Sequence, residues 1–182
     1  PRPETESIVV HLKKNNVSGR ALEVGTGSGC LSITLALELR LNNISATDVS
    51  QSALVVAKMN QKRHQSNVLF VHHDFLNEGF ESKFDLVVSN PPYISKKEMT
   101  GLEKHISRYE PHQALTDGDD GLTFYRRFSK MGRSILSRGG RMILEFGGSR
   151  QKDDVLSIFE NYRCSIINDQ NNEPRLLEAI YD

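Results

Sequence analysis

Long apolar runs, tryptophan and an excess of charge of either sign are all missing from this chain of 182 residues. Lysine and arginine together number 23, as do aspartate and glutamate, so the formal net charge is zero at pH 7. The protein therefore has no overall electrostatic field that would attract nucleic acid or a membrane surface. No apolar run approaches the length of a membrane span, and no signal peptide is visible. These absences favour one globular domain of ordinary size.

Metal-binding patterns are absent as well. Cys30 and Cys164 are the only cysteines, and their separation fits no metal spacing. We interpret both as buried thiols in a reducing compartment, either the cytoplasm or an organelle reached with a transit peptide that has been removed. Neighbouring His72 and His73 point to opposite faces of a predicted strand and therefore cannot hold one metal together. The acidic run 117–120 fails the calcium-loop pattern, because neither its glycine nor its closing glutamate is in place.

Predicted strands alternate with predicted helices from a first amphipathic helix, which ends near Gly19, to a pair of short strands near the end. Such alternation indicates an α/β fold with a parallel sheet, in which ligands bind in the crevice at the carboxyl ends of the strands. The strands are predicted at residues 21–24, 44–48, 68–72, 84–88, 141–146, 164–167 and 176–180, and the main later helices at 30–39, 50–62, 121–136 and 151–162.

The fourth strand stops abruptly at Asn90-Pro91-Pro92-Tyr93. Neither proline carries an N–H, both fix φ, and Asn90 is confined to extended conformations because a proline follows it. The resulting stiff turn presents the Asn90 amide oxygen, the Pro91 carbonyl and the Tyr93 ring. Two acceptors can hold the two N–H bonds of a planar nitrogen substrate while the ring covers its π face. We predict that Asn90, Pro91 and Tyr93 are catalytic and that Asn90 to Tyr93, including Pro92, bind the substrate.

A glycine-rich loop, Gly25-Thr26-Gly27-Ser28-Gly29, lies between the first strand and the following helix. Its glycines let the backbone approach a ligand, and the helix N-terminus offers unpaired N–H groups. Asp48 ends the second strand about 20 residues later, the spacing of a ribose-hydroxyl acceptor in a βαβ unit. The alternative is that Asp48 caps the next helix.

Asp74 and Phe75 follow the third strand and lie at the same carboxyl edge of the predicted sheet. The carboxylate can accept a hydrogen bond from an adenine amine, and the ring can pack on the base. The alternative is that both residues only pack the loop. All the candidate residues therefore fall on one edge of the sheet.

Together, Glu23 to Gly29, Asp48, Asp74-Phe75 and Asn90 to Tyr93 resemble the motifs of the class I methyltransferases, which use S-adenosylmethionine. Four further segments narrow the resemblance to the HemK/PrmC family, the release factor glutamine methyltransferases. The family implies a Rossmann-like fold with a mostly parallel seven-stranded sheet and helices on both faces. It also implies that residues 1–182 are a catalytic domain without the family's N-terminal helical domain. The four segments are Pro1-Arg2-Pro3-Glu4-Thr5-Glu6, Glu110-Pro111, Ala114-Leu115 and Asp120-Gly121-Leu122.

The family methylates the side-chain amide nitrogen of the glutamine in the Gly-Gly-Gln loop of peptide chain release factors. The resemblance therefore implies S-adenosylmethionine as cofactor, S-adenosylhomocysteine as product and a release factor as partner. It places the methionine and ribose parts of the cofactor against Gly25, Thr26, Gly27, Ser28, Gly29 and Asp48, the adenine beside Asp74 and Phe75, and the substrate glutamine against Asn90 to Tyr93, with Asn90 also in contact with the cofactor.

Three other functions remain open at this stage. The Asn-Pro-Pro-Tyr turn suits the exocyclic amine of adenine in DNA or RNA equally well, although the neutral charge and the lack of tryptophan argue against a flipped base. A nicotinamide dehydrogenase would share the βαβ unit and Asp48, but it would not explain residues 90–93. A cofactor-binding module without activity is the third alternative, and only an assay separates it from an enzyme.

Overall fold

A computed structural model describes residues 3–15, 17–39, 41–101 and 111–182 of the chain. Pro1, Arg2 and Glu110, which contribute to the family resemblance, lie outside the described residues. The strands are β1 Ala21–Val24, β2 Ile44–Asp48, β3 Val68–His72, β4 Phe84–Ser89, β5 Leu136–Glu145, β6 Arg163–Asn168 and β7 Pro174–Ile180. The helices are α1 Pro3–Lys14, α2 Cys30–Glu38, α3 Gln51–His64, α4 Lys96–Met99, α5 His112–Leu115, α6 Thr123–Ile135 and α7 Lys152–Ile158.

The strands form one seven-stranded sheet in the order β3-β2-β1-β4-β5-β7-β6. Strands β1 to β5 pair in parallel, whereas β7 runs antiparallel between β5 and β6. This topology confirms the predicted mostly parallel seven-stranded sheet. The reversed β7 leaves all five parallel strands with their carboxyl ends at one edge.

Helices cover both faces of the sheet, because the central strands are apolar on both sides. On β4, Val87 faces a core that contains Phe128 of α6 and Phe159 at the end of α7. Leu86 and Val88 face the opposite core, which α1, α2 and α3 complete. The apolar side predicted for the helix at 121–136 is confirmed, since Leu122, Tyr125, Phe128, Met131, Ile135 and Leu136 are all buried.

Strand β5 begins five residues earlier than predicted, because backbone hydrogen bonds to Tyr181 keep its two glycines in the sheet. Gly139 donates its N–H to the Tyr181 carbonyl at 2.7 Å, and Tyr181 donates to the Gly140 carbonyl at 2.9 Å. The pairing of β4 with β5 shifts register between Phe84 and Leu86, which absorbs the extra residues. The first helix also ends at Lys14 rather than near Gly19.

The prediction that both cysteines are buried was wrong, because Cys30 and Cys164 are free thiols with partial exposure. Cys30 opens α2 at the carboxyl ends of the parallel strands, and Cys164 lies on β6, one of the two edge strands of the sheet. Partial desolvation raises the pKa of the Cys164 thiol. Among residues 3–15, 17–39, 41–101 and 111–182, no helix has both the length and the apolar character needed to cross a membrane.

Candidate functional site

The register of the parallel strands brings the predicted site residues to one edge. Val24 lies opposite Thr47 on one side and Ser89 on the other, and Ser89 lies opposite Leu144. The residues that follow these positions are therefore neighbours in space. They are Gly25, Asp48, Asn90 and Glu145, which stand at the ends of β1, β2, β4 and β5.

The glycine loop is held by backbone bonds to the end of β2. The N–H groups of Gly25 and Thr26 both donate to the Thr47 carbonyl at 2.9 Å, and the Gly27 N–H donates to the Asp48 carboxylate at 2.7 Å. A Cβ added to Gly29 would lie 2.9 Å from the Phe70 ring, so only glycine lets the loop approach β3 this closely. The loop is thereby fixed in position at the sheet edge.

The outer surface of this loop is open and fits the cofactor that the resemblance implies. A Cβ added to Gly25 or to Gly27 would meet no atom within 4 Å. The backbone of these two glycines therefore borders open space, and the half-buried Asp48 is bonded to one of them. An elongated ligand with an amino-acid part and a ribose can lie against such a surface, because backbone approaches it closely and a carboxylate can accept from hydroxyl groups.

Asp48 connects the loop to the start of α3 rather than capping the helix. Its second carboxylate oxygen accepts from the Ser50 N–H at 2.8 Å. The cap itself is Ser50, whose hydroxyl accepts from the Ala53 N–H at 3.2 Å. The alternative reading of Asp48 as the cap is therefore wrong, while its ribose contact stays a prediction.

Glu23 is a site residue to which the sequence analysis assigned no role. It is 4% exposed beneath the loop and accepts from the Thr26 hydroxyl at 2.5 Å and from the Ser32 N–H at 3.1 Å. Burial raises the pKa of the Glu23 carboxyl to about 7, although these hydrogen bonds oppose the rise. An acid inside an otherwise apolar strand was the signal that could have found it.

Asp74 and Phe75 make the contacts that the loop-packing alternative describes. The Asp74 carboxylate accepts from the Leu76 N–H at 3.1 Å and from the Asn77 side-chain amide at 2.8 Å. Phe75 is 4% exposed, and its ring centroid lies 4.3 Å from that of Phe128. The Phe75 ring therefore belongs to the core. The assignment of both residues to the cofactor site stays a prediction.

The Asn90-Pro91-Pro92-Tyr93 turn leaves the sheet directly after β4, as predicted. Pro91 is buried, whereas Asn90, Pro92 and Tyr93 are partly exposed. The chain that follows is hydrogen-bonded to the end of α5 and to the acidic loop after it. Ile94 donates to the Leu115 carbonyl at 3.0 Å, and Lys96 donates to the Asp119 carbonyl at 2.8 Å.

A groove of about 990 Å³ extends from Tyr93 away from the glycine loop. Segments that are distant in sequence form its walls, and these carry charges of both signs, among them Glu98, Glu173 and Arg175. Of the predicted site residues, only Tyr93 lines it. Sequence reasoning missed this groove because residues 94–101, 120–122, 147–154 and 173–175 show no common pattern along the chain.

The sequence of this chain is similar to those of known methyltransferases. The family model of the methyltransferase small domain matches residues 3–119. The chain is 38% identical over 192 residues to the release factor glutamine methyltransferase of Bacillus subtilis, covering 99% of this chain and 67% of that protein. The chain spans about two thirds of the length of the curated release factor glutamine methyltransferases that match 97% or more of it.

Solved structures share the fold. A methyltransferase from Pyrococcus furiosus superimposes with a TM-score of 0.69 at 23% identity, covering 97% of this chain and 82% of that one. The magnesium protoporphyrin IX methyltransferase of Synechocystis with bound S-adenosylmethionine gives a TM-score of 0.63 at 19% identity, covering 98% and 78%. At these identities the likeness shows that the chain has the Rossmann-like methyltransferase fold.

Proposed function

Because the chain belongs to the methyltransferase small domain family and to the release factor glutamine methyltransferases, we propose that it methylates a release factor. The methyl group passes from S-adenosylmethionine, the cofactor of the family, to the side-chain amide nitrogen of the glutamine in the Gly-Gly-Gln motif. The observation that carries this proposal is the position of the Asn90–Tyr93 turn beside the open glycine loop, at one edge of the sheet. Residues 1–182 would form the catalytic domain of the enzyme.

The glycine loop and Asp48 would hold the cofactor. When bound, S-adenosylmethionine supplies a methyl group on a positively charged sulfur. Gly25 and Gly27 let the loop backbone lie against its amino-acid part without side chains in the way, and Asp48 accepts from the ribose. Glu23 holds the loop from beneath through the Thr26 hydroxyl and the Ser32 N–H.

The Asn90–Tyr93 turn would orient the substrate amide. An amide nitrogen is a poor nucleophile, because its lone pair is delocalised into the carbonyl group. The Asn90 side-chain oxygen and the Pro91 carbonyl accept its two N–H bonds, which directs the lone pair and stabilises the positive charge that develops on nitrogen. The methyl carbon would exchange its bond to sulfur for a bond to the amide nitrogen, leaving S-adenosylhomocysteine. The surplus proton on nitrogen would then leave for water, so no strong base is required. Positioning of this kind can lower a barrier by about 7–11 kcal/mol.

Labelled S-adenosylmethionine tests the proposal directly. The protein is incubated with a release factor and, in parallel, with the same factor carrying alanine in place of the Gly-Gly-Gln glutamine and with DNA and RNA. We expect label on the first factor only. Label on both factors, or on neither while adenine in DNA or RNA is labelled, would overturn the proposed substrate.

A further inference from the structure

The side chain of Gln151 joins three backbone segments at the edge of the groove. Its amide nitrogen donates to the Tyr93 carbonyl at 3.2 Å and to the Gly121 carbonyl at 3.0 Å. Its amide oxygen accepts from the Gly147 N–H at 2.9 Å. One side chain thus connects the end of the Asn-Pro-Pro-Tyr turn, the loop before α6 and the segment after β5.

These three partners fix the orientation of the amide. Two of them are carbonyl oxygens, which only accept, and the third is an N–H, which only donates. The reversed amide would place oxygen against both carbonyls and nitrogen against the N–H. The observed orientation uses both hydrogens and the oxygen of Gln151, so each part of the side-chain amide has a partner.

Gln151 also lies at a helix end that other residue types would stabilise more. It is the N-cap of α7, but its side chain makes no capping hydrogen bond. Serine, threonine, asparagine and aspartate stabilise helices at this position, whereas a side chain directed elsewhere leaves the first turn uncapped. The amide of Gln151 is therefore used for the junction instead of for its own helix.

Two glycines allow the close approach of Gln151 and Tyr93. A Cβ on Gly121 would collide with the Tyr93 carbonyl oxygen and lie 3.2 Å from the Gln151 amide nitrogen. A Cβ on Gly147 would lie 3.2 Å from the Gln151 amide oxygen and 3.4 Å from the Tyr93 ring. Both glycines thus border the same close contact between Gln151 and Tyr93.

We infer that Gln151 is a positioning residue that fixes the Asn-Pro-Pro-Tyr turn for the reaction. Pro91 and Pro92 have no backbone N–H, so the turn itself cannot be held by donors from these residues. Gln151 supplies donors from outside and holds the carbonyl of Tyr93, immediately after the prolines. Gln151 contacts the backbone of the turn, and it affects the reaction through the positions of Asn90 and Tyr93. The effect of Gln151 on the reaction rate rests on the proposed function, whereas its role in holding the turn in place does not.

Two variants of Gln151 and one matched control test the inference. Gln151→Leu removes every hydrogen bond of the side chain at similar size, and Gln151→Glu keeps an acceptor for Gly147 while losing both donors. Gln61→Leu is the control, because Gln61 donates to the Val68 carbonyl at 2.6 Å between α3 and β3, remote from Tyr93. Amide hydrogen exchange of Ile94 and Lys96 is measured in all proteins, because both N–H groups are bonded directly after the turn.

We expect both Gln151 variants to speed exchange at Ile94 and Lys96 about tenfold or more, with the control unchanged there. With a release factor as substrate, we expect turnover to fall about tenfold to a hundredfold, because misplacement of a reacting group is costly. The dissociation constant for S-adenosylhomocysteine should stay within about twofold of the wild-type value.

Wild-type exchange at Ile94 and Lys96 in both Gln151 variants would overturn the inference, as would equal acceleration in Gln61→Leu. Wild-type exchange in Gln151→Glu alone would also overturn it, since the Gly147 bond would then suffice. If the wild-type protein methylated no release factor, the proposed function would fail, and the exchange measurement would still decide the role of Gln151.

Discussion

The Gly27 N–H donates to the Asp48 carboxylate at 2.7 Å, so the predicted ribose acceptor also holds the loop that we propose binds the cofactor. We expect Asp48→Ala to weaken cofactor binding about tenfold to a hundredfold, because hydrogen bonds to charged groups contribute about 1.5–3 kcal/mol. Titration calorimetry with S-adenosylhomocysteine measures this loss. The control is Asp85→Ala, since Asp85 lies near the start of β4, at the opposite edge of the sheet, where it accepts from the Arg20 N–H at 2.8 Å. Equal weakening in both variants would contradict the assignment.

Asn90→Ala should separate turnover from cofactor affinity. The substrate amide loses one of its two acceptors, so we expect turnover to fall about 100-fold or more, as when one preorganised hydrogen bond is removed from an active site. Affinity for S-adenosylhomocysteine should change much less. Single-turnover methylation measures the rate, and calorimetry measures the affinity for S-adenosylhomocysteine. Asn67→Ala, at an exposed position before β3, is the control. Losses of equal size in rate and affinity would remove Asn90 from its proposed role.

Tyr93→Ala should act on the substrate more than on the cofactor. Loss of the ring uncovers one face of the substrate amide and widens the groove where Tyr93 lines it. We expect a higher Michaelis constant for the release factor and a lower turnover number, both read from initial rates over a range of factor concentrations. If both parameters kept their wild-type values, the ring would not position the substrate.

The buried carboxyl of Glu23 should make stability depend on pH. Its pKa rises from 4.5 to about 7 on folding, so the unfolded chain ionises first as pH increases. The free energy of unfolding therefore falls between pH 4.5 and 7 by about 3 kcal/mol from this group alone. Below pH 4.5 both states are protonated and the contribution is constant.

Glu23→Gln isolates this effect, because other titrating groups cancel in the difference between the two proteins. Urea unfolding at pH 5, 6, 7 and 8 should show the variant gaining stability relative to the wild type as pH rises. Glu160→Gln on the surface is the control. A difference that stays constant across these pH values would show that Glu23 ionises in the folded protein as it does in the unfolded chain.

Local patterns predicted the sheet well, because each strand has an apolar run that ends in a polar or turn residue. The bounds of β1, β2 and β3 match the prediction, and the site edge follows from the parallel order. The early start of β5 was missed, since bonds to Tyr181 hold Gly139 and Gly140 in the sheet and no local pattern shows them. The groove and the role of Gln151 depend on contacts between segments 30 to 58 residues apart, which sequence periodicity does not contain.

The position of β7 between β5 and β6 affects the order in which the strands pair during folding. Strands β6 and β7 follow each other in the chain and pair antiparallel, so they can close as a hairpin within about 1–10 μs. The pairing of β1 with β4 joins Ala21 to Leu86, 65 residues away (86 minus 21), and must wait for a long loop to close. The edge proposed to bind the cofactor is built on this slow, non-local half of the sheet. A refolding chain should therefore recover ligand binding last, after most of its secondary structure has returned.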